Sequence, residues 1–114
     1  MLVTKNTVRW LCAILIAGVS AFAGSGAQAD EASDRAAGAA VAKELCSNCH
    51  IVAEGQAGPV PDGVPPFSVI AVKPGRTTGY LQAYLSEPTP PMPHVPLTKQ
   101  QVDSVIAYIR SFAD

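Results

Sequence analysis

Cys46-Ser47-Asn48-Cys49-His50 is a Cys-x-x-Cys-His run. Two thiols at that spacing can each add to a vinyl group of a porphyrin while the next residue's imidazole ligates its iron, which is the pattern of a c-type haem attachment site. Three other chemistries compete. A thioredoxin-like pair belongs in a βαβ context, and no strand-rich, Val/Ile-alternating stretch flanks this one. A zinc site takes about four ligands; beyond residue 29 the soft or imidazole donors are Cys46, Cys49, His50 and His94, and adjacent Cys49 and His50 would have to bind one small ion. A Cys46–Cys49 disulfide would close a short, strained loop for little gain in chain entropy, and it gives His50 no role.

An iron held by His50 has a sixth position, and what fills it separates electron transfer from ligand binding. Met92 is the one methionine beyond residue 29 and lies in Pro90-Pro91-Met92-Pro93, where fixed φ angles stiffen the chain. Core methionines sit on periodic faces; this one stands among prolines, so ligation is its expected role. His94 is the rival, and would give bis-His iron of lower potential. Lys73 and Lys99 read as surface charges.

Helices have to position these groups. Asp30 to Leu45 is alanine-rich and interrupted by Gly38, so it reads as a helix leading into the motif, with Ser33 or Asp34 as N-cap and Ala37, Val41 and Leu45 as its buried stripe. Residues 51–66 carry many glycines and prolines and read as a loop around the haem edge. Phe67 to Val72 is a short apolar run for one or two helical turns against the porphyrin. Thr77 or Thr78 caps a helix through Ser86, with Leu81, Tyr84 and Leu85 on one side. The five prolines between Pro88 and Pro96 exclude helix there. Thr98 and Gln101 form a capping-box pattern that opens a last helix with Val102, Val105, Ile106, Ile109 and Phe112 on its apolar face. The expected fold class is all-α, three to four helices wrapped around one covalently bound haem.

The N-terminus reads as an export signal: Lys5 and Arg9 make a basic start, Trp10 to Phe22 an apolar run, and Ala27-Gln28-Ala29 a small-x-small cleavage pattern. Residues 1–29 are therefore expected to be a cleavable signal peptide and residues 30–114 the domain. An uncleaved anchor is the alternative, for which the run is short against the roughly 20 residues of a spanning helix; Cys12 reads as filler within it. Cleavage removes two of the eight basic residues and none of the nine acidic ones, leaving six against nine, or −3, over 85 residues. That balance argues against nucleic acid and acidic membrane surfaces as partners. A domain of this size needs a staple, and a covalently bound apolar porphyrin supplies one.

With these features the chain resembles the class I c-type cytochromes, small all-helical electron carriers, over essentially the whole of residues 30–114. Its markers are the Cys46-x-x-Cys49-His50 motif, Met92 in its Pro-Met-Pro loop, and Tyr108 on the last helix. The resemblance implies the small cytochrome c fold, with first and last helices crossing through Gly38 and Tyr108. It also implies His50 and Met92 as axial ligands, one-electron exchange at an exposed haem edge, and haem attachment outside the cytoplasmic membrane. A proline carbonyl, from Pro59, Pro65 or Pro66, is expected to orient His50. Two departures stand out: Ala42 replaces a common aromatic, implying a looser helix crossing, and no tryptophan follows Trp10, leaving Arg76, Tyr80 or Tyr84 to meet the propionates.

The expected function is that of a periplasmic one-electron carrier with haem c bound through Cys46 and Cys49. The chain is expected to be a monomer without enzyme activity of its own or a stable membrane span after cleavage, with redox proteins as electron donor and acceptor. The alternatives are a haem c subunit of a larger periplasmic dehydrogenase or oxidase complex, and a ligand-binding haem protein with an open distal position.

Overall fold

The computed structural model describes residues 25–114, so the basic start and the Trp10–Phe22 run lie outside the described residues. Helix α1 spans Ser25–Leu45 and passes without a break through the Ala29–Asp30 junction. Ser33 and Asp34 are consequently interior residues, not caps. The reason is compositional: between Ala27 and Ala37 the chain holds no glycine or proline, and its alanines continue the helix upstream of either candidate.

The buried face of α1 also differs from the expected stripe. Ala37 is exposed, Val41 is half-buried, and Gly38 and Ala42 are buried instead. The partner helix decides this. Helix α4 (Lys99–Arg110) crosses α1 so closely that a Cβ built on Gly38 would overlap the Ser104 carbonyl and lie 2.9 Å from Tyr108 Cβ. Only the smallest side chains fit such a contact, so apolar bulk is not the criterion for burial there. Ala42 is 0 % exposed, and the crossing is tight, not loosened by the missing aromatic.

Helices α2 (Phe67–Val72) and α3 (Thr78–Ser86) fill the space beside this pair. Thr77, and not Thr78, is the N-cap of α3, with its Oγ1 accepting from the Tyr80 amide. Thr98 and Gln101 form a full capping box on α4: the Gln101 amide donates to Thr98 Oγ1 at 3.2 Å, and Gln101 Oε1 accepts from the Thr98 amide at 2.9 Å. Val102, Val105, Ile106 and Ile109 of α4 are buried, with Ala42, Val52, Phe67, Ala71 and Leu81 completing the core. Phe112 lies in a single 3₁₀ turn, Ser111–Ala113, and packs its ring edge-on against Tyr108 at 5.1 Å. Arg35 ties the two ends of the domain together, reaching Glu31 at 2.6 Å and Asp114 at 3.0 Å. The described residues form helices and loops without strands, and none of these helices is long and apolar enough to cross a membrane.

Candidate functional site

Where α1 ends, the Cys-x-x-Cys-His segment turns back on itself: the Cys46 carbonyl accepts from the Cys49 amide at 3.2 Å and the His50 amide at 2.8 Å. This turn brings Cys46, Cys49 and His50 to the wall of a cavity of about 480 Å³, a size that suits a cofactor, since such sites span roughly 300–1,000 Å³. Phe67 and Ile70 of α2, Leu81, Tyr84 and Leu85 of α3, and Val105 and Ile109 of α4 supply further walls. Leu45, 38 % exposed, also lines it, which accounts for an apolar side chain at the end of α1 that is not packed in the core.

His50 is held at three points. Its amide donates to Cys46, its carbonyl accepts from Gln56 Nε2 at 2.9 Å, and its ring Nδ1 lies 2.7 Å from the Pro65 carbonyl. A carbonyl only accepts, so Nδ1 is the donor in this pair. Among the described residues Nε2 has no protein partner, on a side chain that lines the cavity. Of the three prolines considered, Pro65 is the one that meets the ring. It is held in place because the Phe67 amide donates to the Ile51 carbonyl at 3.0 Å, closing the loop at its two ends.

Met92 lines the same cavity, whereas His94 is exposed and does not; Lys73 and Lys99 do not line it either. The methionine loop is fixed through one acceptor, the Thr89 carbonyl, which takes the Met92 amide at 3.2 Å and the Tyr84 hydroxyl at 3.4 Å. Arg76, Tyr80 and Tyr84 also line the cavity as a stack. The Arg76 guanidinium lies 4.3 Å from the Tyr80 ring centre, and the Tyr80 and Tyr84 rings are 5.9 Å apart and nearly parallel at 16°. Since Tyr84 gives its proton to Thr89, Arg76 and Tyr80 are the donors left for an acidic group.

The donor set fits a haem and not a small tetrahedral ion. Two free thiols, an imidazole and a thioether face an otherwise mainly apolar space. Among the described residues no three His, Cys, Asp or Glu side chains converge on one point. Burial pushes the Cys46 thiol above its usual pKa.

Sequence reasoning missed two residues of this site. Val52 is 3 % exposed; its carbonyl accepts from the Tyr108 hydroxyl at 2.5 Å and its amide donates to Gln56 Oε1 at 2.8 Å. Gln56 itself stood in a stretch read as irregular. The one signal available was Gly55, whose left-handed φ of +69° makes the turn that returns Gln56 to the backbone.

The cytochrome c family model matches residues 35–113. Cytochrome c-552 of Bradyrhizobium diazoefficiens is 40 % identical over 80 residues, which covers 70 % of this chain and 76 % of the relative. No solved structure gives a significant match.

Proposed function

Since the chain belongs to the cytochrome c family, and so is an electron carrier with haem c bound through Cys46 and Cys49, we propose that His50 and Met92 are its two axial ligands and that it works in the periplasm. The observation that carries the ligand assignment is the shared cavity: His50 and Met92 both line it, and His94 does not.

The haem supplies the one-electron iron couple. The chain's own residues hold that group and keep its surroundings constant. Pro65 fixes the His50 ring through Nδ1, which sets its orientation. Thr89 fixes the backbone of Met92. Leu81, Val105 and Ile109, all buried, exclude water from the inner wall, and Arg76 and Tyr80 would meet the propionates. With both His50 and Met92 bound to it, the iron would have no open position for a substrate and would need little rearrangement between oxidation states.

Export is supported by the basic start, the apolar run and the Ala27-Gln28-Ala29 pattern. With residues 1–29 removed, residues 30–114 act as a monomer between two redox proteins.

Optical spectra of the haem-loaded protein test the ligands. The weak red charge-transfer band of Met-ligated ferric haem is expected in the wild type, absent in Met92→Ala and retained in His94→Ala. A wild type without that band whose low-spin spectrum is lost in His94→Ala is bis-His, and the Met92 assignment then fails. Protein recovered from the periplasm is expected to begin at Asp30 by intact mass; a mass that includes residues 1–29 would contradict the cleavage site.

A further inference from the structure

Gln56 spends its whole side-chain amide on the haem-attachment segment. Its Nε2 donates to the Ser47 carbonyl at 3.2 Å and to the His50 carbonyl at 2.9 Å, and its Oε1 accepts from the Val52 amide at 2.8 Å. A primary amide has two protons to give and one oxygen to receive, and all three partners are main-chain groups within the six residues from Ser47 to Val52. The side chain is half-buried, so water competes only in part for these bonds.

Two further contacts make the arrangement a frame. The Val52 amide belongs to Gln56, and the Val52 carbonyl belongs to Tyr108 on α4. The peptide after His50 is thus tied through Gln56 and Val52 to the helix crossing at Gly38. On its other side, the His50 amide is tied to Cys46. The Pro65 contact sets the rotation of the imidazole, while Gln56 sets where its backbone stands.

We propose that Gln56 is a positioning residue for the iron ligand His50: by clamping the peptide groups from Ser47 to Val52 it fixes the direction from which the imidazole meets the iron. This rests on the reading of His50 as an axial ligand. A loop that merely needed closing would use any one of these bonds. A side chain bonded on both its donor and acceptor sides to the peptides around one ligand acts on that ligand's placement.

The test compares haem-loaded wild type with Gln56→Leu and Gln56→Glu, using Thr98→Ala as a variant that loses a helix cap but none of the bonds that hold His50. Three quantities are read: the ferric low-spin electron paramagnetic resonance spectrum, the reduction potential and the thermal unfolding midpoint. Wild type is expected to give one low-spin species. Gln56→Leu is expected to give shifted or multiple g-values and a displaced potential. Gln56→Glu is expected to move both further, because its carboxylate keeps the bond to Val52 but turns an acceptor toward the Ser47 and His50 carbonyls. Thr98→Ala is expected to lower the midpoint and move neither.

If both Gln56 variants change only the midpoint, as Thr98→Ala does, the proposal is wrong. Should Gln56→Leu fail to load haem, Gln56→Asn, one methylene shorter, withdraws the amide from the same carbonyls, and the same split is expected of it. The reading of His50 as a ligand fails separately: it is lost if the ring protons of His50 in wild type show no strong paramagnetic shift by NMR, whatever the Gln56 variants do.

Discussion

Gly38 and Ser104 meet backbone to backbone. The α-carbon of the one faces the carbonyl of the other so closely that a single methyl group has no room, and on that contact rests the approach of α1 to α4. Gly38→Ala would raise the helix propensity of α1 by about 1 kcal/mol. It is nonetheless expected to destabilise the haem-loaded protein by about 1–3 kcal/mol, because the added carbon must displace main chain and not a flexible side chain. Denaturant unfolding of Gly38→Ala checks this, and a variant as stable as wild type would show that the crossing can relax.

Tyr108 joins that crossing to the haem-attachment segment through Val52. Its Phe variant is expected to lose about 1 kcal/mol at neutral pH, the net worth of one hydrogen bond. The pH dependence has a definite sign. Desolvation raises the phenol above its ordinary value of 10.0, so in that range the folded protein holds the proton more tightly than the unfolded chain. The stability this confers is complete below pH 10 and is lost as pH rises through the folded value. Unfolding midpoints measured from pH 8 to 11 should therefore fall more steeply above pH 10 for wild type than for Tyr108→Phe.

Haem acts as part of the core. The double variant Cys46→Ser with Cys49→Ser cannot form the thioether links, and a chain of this size keeps little core once a cavity of about 480 Å³ lacks its filler. Thermal melts followed by circular dichroism are expected to lose their cooperative transition. A sharp melt in that variant would mean that the helices pack without the cofactor.

Residues 26–34 of α1 are exposed throughout, so removing the first turn uncovers no buried surface. A chain starting at Asp30 is expected to match one starting at Ser25 in stability within about 0.5 kcal/mol, the usual range for changes away from the core. Its Arg35 bridges to Glu31 and Asp114 stay in place. A larger loss on calorimetry would give those first residues a structural role.

The parts of this architecture that were legible in the sequence are the local ones. The Thr98–Gln101 capping box, the Val102–Val105–Ile106–Ile109 face and the Cys-x-x-Cys-His motif each declare themselves within a few positions, because the forces behind them act between neighbours in the chain. The buried side of α1 was not legible from periodicity, although the family resemblance sets Gly38 against Tyr108. Periodicity points to the large side chains, Val41 and Leu45, while the crossing selects the smallest, and only Ser104 and Tyr108 far along the chain make that requirement. The same holds for Pro65 over Pro59 and Pro66, and for Gln56. Three hydrogen bonds between one glutamine side chain and the main chain, two given and one received, depend on how a loop closes, and composition does not encode that closure.

The bond between Tyr108 and Val52 spans 56 positions, which gives the fold an order in time. A chain made from its N-terminus completes Cys46, Cys49 and His50 well before the helix that will press on them exists. Contacts of such separation form late, after the loop between them has been drawn in. Val105 and Ile109 of that last helix line the same cavity as Cys46 and Cys49, so the haem site has its full wall only when the two ends of the domain have met.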